Sequence, residues 1–200
     1  WRPGGEGPPP PPFTIIKAED VAAGRWAASD PALQPHALAY TAALSGGGRF
    51  DVCVWPEHCL VGTPGHCVVG VLNHALLHWS ARRGRTVNYT LKGVNVLTEH
   101  YSALRADVAV EGDPTTGTNE GLLQRLKRAG RLLVGGQALS HCVNFTVRDL
   151  LALWPEGAGR VVVLTDAASA VPGFEDQAAA FIHAMGEASV TCCTLAQAWA

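Results

Sequence analysis

The chain has 200 residues, 15 Lys+Arg against 17 Asp+Glu, and a formal charge of −2 with His neutral. Apolar residues make up 48% and charged residues 16%, which excludes a disordered polymer and supplies enough material for one sizeable core. The balanced charge gives no electrostatic case for nucleic acid or an anionic membrane, and no apolar run reaches the roughly 18 residues that span a bilayer.

Residues 1–12 (WRPGGEGPPPPP) are dominated by Pro and Gly, cannot build a core, and read as a disordered segment of extended polyproline type. Residues 13–200 read as a single domain. Phe13 to Ile16 is a short strand-like run. A helix over about Pro35–Leu44 stops at Gly46-Gly47-Gly48. Phe50–Trp55 predicts a buried strand. His66–Arg83 predicts a helix with apolar residues at 68, 69, 71, 72, 75, 76 and 79, stopped by Gly84. Thr86–Leu91 predicts a strand ending at Lys92-Gly93.

In the second half, Asn119–Ala129 predicts an amphipathic helix with Leu122, Leu123 and Leu126 on one side. Arg131–Val134 is a buried strand ending in Gly135-Gly136, and Cys142–Leu153 is a helix. Arg160–Thr165 is a buried strand ending at Asp166, Glu175–Gly186 a helix, and Ser189–Leu195 a final strand. Apolar strands alternating with helices predict an α/β class, a mostly parallel sheet with helices on both faces.

Six cysteines stand at 53, 59, 67, 142, 192 and 193. Cys192 and Cys193 are adjacent, and no CxxC pair is present to suggest a zinc knuckle. The N-terminus shows no signal-peptide pattern. The chain therefore reads as a cytoplasmic protein with reduced thiols.

In parallel α/β folds, sites collect at the carboxyl ends of strands. After the strand at 131–134 the chain turns through glycines and enters a helix at Cys142. A thiol there sits at the positive end of a helix dipole, and nearby backbone N–H groups can hold an oxyanion. The same pattern also fits a small buried cysteine. Lys92 follows a predicted strand and fits either a cleft-facing proton donor or a lysine snorkelling off a strand end. His58 fits a metal ligand, a substrate-positioning group or a hydrogen-bonded loop histidine. His74 and His78 share a helix face without an evident third ligand.

These segments resemble those of the nicotinamidase/isochorismatase-like cysteine hydrolases. Trp55-Pro56-Glu57-His58-Cys59 with Gly62-Thr63-Pro64-Gly65 resembles the family's WPxHC…GTxG segment. Lys92-Gly93 followed by Glu99-His100-Tyr101-Ser102-Ala103-Leu104 resembles its KG…YSxF segment. Gly135 to Val143 resembles its nucleophile loop, followed by a helix carrying Asp149, and Val163 to Ala167 its later strand and DA turn. The similarity runs over about residues 50–190.

The resemblance implies a three-layer α/β fold and a Cys-Lys-Asp triad that hydrolyses an amide through a thioester. By position, Cys142 is the nucleophile and Lys92 the triad lysine. The N–H of Cys142 and one from the Ala138–Leu139 turn, assigned to Leu139, form the oxyanion hole. Tyr101 and His141 line the substrate pocket. His58 corresponds to a metal-binding histidine, implying one divalent ion, zinc or similar. The implied partner is a small-molecule carboxamide, nicotinamide as the first candidate, with no nucleic acid and no membrane.

The family's first strand, ending in the triad Asp, has no match here, and neither has its Asp-x-His metal pair. Asp20 is the nearest candidate for the triad Asp. The expectation is that roughly the first third of the functional protein is absent from this sequence, and that an upstream segment or a second identical subunit covers the exposed sheet edge. Two readings of other classes stay open: a family member that binds a ligand or partner without catalysis, and a redox protein using Cys142.

Overall fold

The structure is a computed structural model that describes residues 1–47 and 49–200. The chain divides into two compact units, Trp1–Tyr89 and Thr90–Ala200, where the sequence predicts one domain over 13–200. The division follows from the strand pairing. No ladder among the described residues joins a strand of the first half to one of the second, so each half closes its own backbone hydrogen bonds.

In the first unit, β1 (Arg2–Pro3) pairs antiparallel with β3 (Trp26–Ala27), and β2 (Ile15–Ile16) pairs antiparallel with β4 (Val52–Cys53). The Pro/Gly segment is therefore not wholly disordered: Arg2 and Pro3 are held by a ladder, and Gly4 N–H donates to the Arg25 carbonyl. The buried strand predicted over 50–55 shortens to two residues. Helix α1 (Ala18–Ala22) buries Val21, and α2 (Gln34–Gly46) buries Ala37, Tyr40 and Leu44. The predicted stop at Gly46–Gly48 is met as far as Gly47, which caps α2; Gly48 lies outside the described residues.

Helix α3 (Gly70–Arg83) ends, as predicted, where Gly84 takes the left-handed conformation at φ 59°. Its predicted core face is not realised. None of its residues is buried, and Val71, Leu72, Leu77 and Trp79 are exposed. The described sheets of this unit are two-residue ladders, too small to cover a 14-residue helix. The strand predicted over 86–91 also does not form. A strand exists only against a partner that takes its N–H and C=O groups, and without one Tyr89 and Leu91 are exposed.

The second unit carries the parallel sheet. Strands β5 (Leu132–Gln137), β6 (Val161–Ser169) and β7 (Thr191–Cys193) lie in the order β5-β6-β7, both pairs parallel. Helix α4 (Glu120–Lys127) precedes β5, with the Asn119 side chain capping it by accepting from Leu122 N–H at 2.9 Å. Helices α5 (Cys142–Leu153) and α6 (Glu175–Glu187) make the two crossovers, and α7 (Leu195–Trp199) ends the chain. β5, paired on one side only, alternates half-buried and exposed residues. β6, paired on both sides, buries Val161 to Leu164 in an unbroken run.

β6 does not stop at Asp166. Val134 faces Val163, but Gly136 faces Ala168, so β6 bulges between the two registers. Asp166 lies in this bulge and accepts from the Leu195 N–H at 2.8 Å, at the start of α7. Gly135 faces the bulge, where a Cβ would lie 3.1 Å from the Ala167 carbonyl oxygen.

The core gathers Leu123 of α4, Leu139, Val143, Val147 and Leu150 around α5, Val161 and Val163 of β6, and Phe181 and Met185 of α6. Trp154 closes it at the end of α5, with the Arg160 guanidinium 4.8 Å from its ring. Gly157 is packed against that indole; a Cβ there would lie well inside contact distance of Cδ2 and Cε3. Because Trp154 is only 3% exposed, it has no room to yield. Gly157→Ala is expected to lower the unfolding free energy by about 2 kcal/mol, the cost of overpacking a filled core. Urea denaturation measures it, and an unchanged midpoint would refute this packing.

Candidate active site

The site is built where β5 hands the chain to α5. After the cis peptide Gln137–Ala138, the turn 138–141 is held by backbone and hydroxyl bonds and by Asn144 Nδ2 donating to the Ser140 carbonyl at 3.3 Å. His141 N–H and Val143 N–H both donate to the Ala138 carbonyl, at 3.0 and 3.1 Å. Ser140 Oγ accepts from Val171 N–H at 3.1 Å and meets His141 Nδ1 at 2.9 Å. Helix α5 opens at Cys142, so its half-buried thiol stands at the positive end of the helix.

Lys92, fifty residues away in sequence, reaches this thiol. Its Nζ donates to Cys142 Sγ at 3.4 Å and to the His100 carbonyl at 2.9 Å. No strand brings it there. It is placed by the 98–108 segment, which folds on itself through Thr98 Oγ1 donating to the Val108 carbonyl and Tyr101 N–H donating to Asp107 Oδ2.

Aromatic rings stand beside the thiol. Buried Tyr101 stacks on Phe145 with centroids 5.7 Å apart and lies 5.4 Å from the His141 ring. His141 in turn meets Phe174 edge-on at 4.8 Å. Burial pushes the His141 pKa below its ordinary 6.5. His100 is lowered as well, first by burial and then by the Lys92 cation, with Asp149 opposing.

Among the residues predicted from sequence, Cys142, Lys92, Tyr101, His141 and Leu139 therefore lie in one unit, around one turn. The assignment of Leu139 to the oxyanion hole needs correction. Its N–H donates to the Ser169 carbonyl at 2.7 Å, so it is not available to an oxyanion. Among the described residues the N–H groups of Ala138, Ser140 and Cys142 have no such backbone acceptor, and of these Ala138 and Cys142 flank the turn on either side.

His58 lies in the first unit and is exposed. Its Nδ1 donates to the Pro56 carbonyl at 2.7 Å, and its ring meets Trp55 at 6.5 Å. That leaves Nε2 as its single donor to a metal. Among the described residues no three His, Cys, Asp or Glu side chains come close enough to hold an ion, so the donor set does not fit a catalytic metal. Asp20 also lies in the first unit, ion-paired with Arg25, and it accepts from the Lys17 N–H at 3.3 Å. That bond closes the start of α1.

Sequence reasoning missed the second partner of Lys92, the His100 carbonyl, because a backbone acceptor leaves no mark in residue type. It also missed the pairing of Arg105 with Asp149 at 2.7 Å, which ties the 98–108 segment to α5.

The lowered pKa of His141 fixes its charge. Above its ordinary 6.5 the ring is neutral both folded and unfolded. As pH falls from 6.5 towards the lowered folded value, the unfolded chain gains a proton first, and stability is lost. The His141 ring is expected to titrate below 6.5 in proton–carbon NMR spectra of the folded protein. Titration at or above 6.5 would contradict this burial.

No protein-family model matches the sequence, and no curated protein sequence matches it. Solved structures do. The yeast nicotinamidase aligns with a TM-score of 0.51 at 16% identity, covering 72% of this chain and 59% of its own. The yeast nicotinamidase bound to the inhibitor nicotinaldehyde aligns with a TM-score of 0.52 at 16% identity, covering 72% of this chain and 60% of its own. The chain thus spans less than two thirds of the length of these structures. No helix among the described residues is long and apolar enough to cross a membrane. The parallel sheet, its two crossover helices and the turn before α5 give this chain the α/β fold of the nicotinamidases.

Proposed function

We propose that the chain is a cysteine hydrolase of the nicotinamidase/isochorismatase-like family, cleaving the C–N bond of a small carboxamide, with nicotinamide as the first substrate to try. The observation that carries this reading is the Lys92 ammonium donating to the Cys142 sulfur at 3.4 Å, at the first residue of α5. A thiolate is a better acceptor for that bond than a thiol, and the thiolate is the nucleophile.

The chemistry follows from the groups in place. The Cys142 sulfur attacks the amide carbonyl, and the carbonyl oxygen takes the electron pair. The N–H groups of Ala138 and Cys142 receive the resulting oxyanion. Collapse of that intermediate breaks the C–N bond. The departing nitrogen takes a proton from Lys92 and leaves as ammonia, with the acyl group held as a thioester. Water then attacks the thioester and loses its proton to Lys92, and the carboxylic acid departs with both groups restored. Tyr101, His141 and Phe174 supply flat apolar walls suited to an aromatic ring, and a neutral His141 avoids placing a second cation beside a neutral amide.

A second reading, a ligand-binding module without turnover, is favoured by one observation. The partner of Lys92 besides the thiol is a carbonyl, where proton relay through a triad calls for a carboxylate. Ammonia release from nicotinamide separates the two. Turnover by the chain alone is expected to be low, because the partner of Lys92 besides the thiol is a carbonyl and not a carboxylate, with Cys142→Ala reducing the full-length protein's turnover by about a thousandfold or more, as loss of a nucleophile does. Lys92→Met is expected to fall close to the same level. Turnover that survives Cys142→Ala would overturn the enzyme assignment, whereas binding of nicotinamide without turnover by the intact chain would support the module.

A further inference from the structure

Helix α5 presents two stripes side by side. Val143, Val147 and Leu150 face the core. One residue earlier in each turn come Cys142, Thr146 and Asp149, spaced i, i+4 and i+7 and so on one face. All three engage the segment between 92 and 105. Lys92 Nζ donates to Cys142 Sγ at 3.4 Å, Ala103 N–H donates to Thr146 Oγ1 at 3.0 Å, and Arg105 Nη2 donates to Asp149 Oδ1 at 2.7 Å.

The lowest contact on this face is the most buried. The Asp149 side chain is 2% exposed and that of Arg105 is 37% exposed. A carboxylate at such depth persists only with a strong partner, and the hydrogen bond that Arg105 donates to Asp149 is the first cause of a raised Arg105 pKa. The lysine above it has the opposite difficulty. Its ammonium rides on four rotatable carbons, and one soft acceptor, sulfur, does not fix it. The second acceptor is the His100 carbonyl, on a stretch without helix or strand. That stretch is itself held to α5 through Ala103 and Arg105.

We propose that Arg105 and Asp149 are positioning residues: their ion pair seats residues 98–105 on α5 so that the His100 carbonyl holds the Lys92 ammonium against the Cys142 sulfur. The proposal rests on reading Cys142 and Lys92 as the reactive pair. Neither Arg105 nor Asp149 touches the thiol in this arrangement; they act through the backbone of the segment between them.

Two alkylating reagents of similar size, iodoacetate and iodoacetamide, test it. The first is an anion and the second is neutral, so the ratio of their rates at one thiol reports a cation beside that sulfur. The ratio at Cys142 is read by peptide mass spectrometry and compared with that at exposed Cys59 in the same molecule. It is expected to be higher at Cys142, and Lys92→Met is expected to lower it by about fivefold, the upper range for a solvent-accessible charge pair. Asp149→Asn is the decisive variant. Removing a negative charge would by itself raise the ratio for an anionic reagent. Displacement of Lys92 lowers it, by about threefold or more on the same scale. Arg105→Met is expected to lower it likewise, while Arg105→Lys, which keeps a donor for Asp149, retains most of the wild-type value. Thermal denaturation checks that each variant folds. Where a single variant fails to fold, the double R105M/D149N leaves no lone buried charge and is expected to show the same fall. A ratio unchanged or raised in Asp149→Asn, with Lys92→Met still lowering it, would overturn the positioning role and leave the reactive pair standing. An unchanged ratio in Lys92→Met would overturn the reactive pair and the proposal with it.

Discussion

The Leu139 N–H donates to the carbonyl of Ser169 at 2.7 Å, and the position of Cys142 follows from that bond. Ser169 ends β6, and through Val162 and Val163 β6 is locked between β5 and β7. The turn leaving β5 is therefore pinned to the middle of the sheet three residues before α5 begins. The helix cannot roll about its axis, because Val147 and Leu150 are packed against Val161, Val163 and Phe181 with almost no exposure. A tethered start and a packed flank fix the direction of the remaining stripe, and that stripe carries the thiol. Interiors at this density transmit position well, since side chains there have no free volume to move into.

Charge is distributed down this stripe in a way that burial alone would not allow. Asp149 sits deepest, Arg105 covers it, and Lys92 stands above at the accessible end. Removing Arg105 strands the buried Asp149 carboxylate, at a cost of about 3–5 kcal/mol, whereas the partly exposed Arg105 guanidinium can be hydrated without Asp149. Asp149 therefore depends on Arg105 more than Arg105 depends on Asp149. Lys92 is not under that constraint, because its acceptors are a thiol and a carbonyl, neither needing a cation to stay folded. The chemical member of the arrangement is thus free of the structural requirement that holds the other two.

The sequence makes some of this plain and hides the rest for definite reasons. Helix α5 runs over Cys142–Leu153 as predicted, because Gly135-Gly136 mark its approach and Val143, Val147 and Leu150 give the helical period. The run Val161–Leu164 is readable as a central strand for the same kind of reason. The oxyanion donor at Leu139 is misassigned because its acceptor lies beyond Asp166. There the strand looks finished, and only the bulge opposite Gly135 lets it continue to Ser169. Lys92 was reachable from sequence, but by a strand that does not form. Arg105 left one trace, the polar row Cys142, Thr146 and Asp149 lying alongside an apolar one on the same helix. The exposed face of α3 shows the limit of periodicity: spacing tells which residues share a side, not whether anything in the same unit covers it.

Six thiols in one chain are separated by their surroundings, and not in a single order. Cys59 and Cys67 are exposed and open to any reagent. Cys192 is half-buried, its pKa pushed up by burial first and by neighbouring Cys193 second, which keeps it protonated and unreactive. Cys142 is less open than Cys59 but stands at a helix start with an ammonium on its sulfur. A neutral reagent ranks these thiols mainly by access, and access favours the exposed pair. An electrophile that develops or carries negative charge ranks them by the field at the sulfur, and the field favours Cys142. An amide carbonyl is such an electrophile, since its oxygen becomes anionic as the bond to sulfur forms. On the proposed amide cleavage, the selectivity of this site resides in stabilising charge that appears during reaction more than in exposing a nucleophile beforehand.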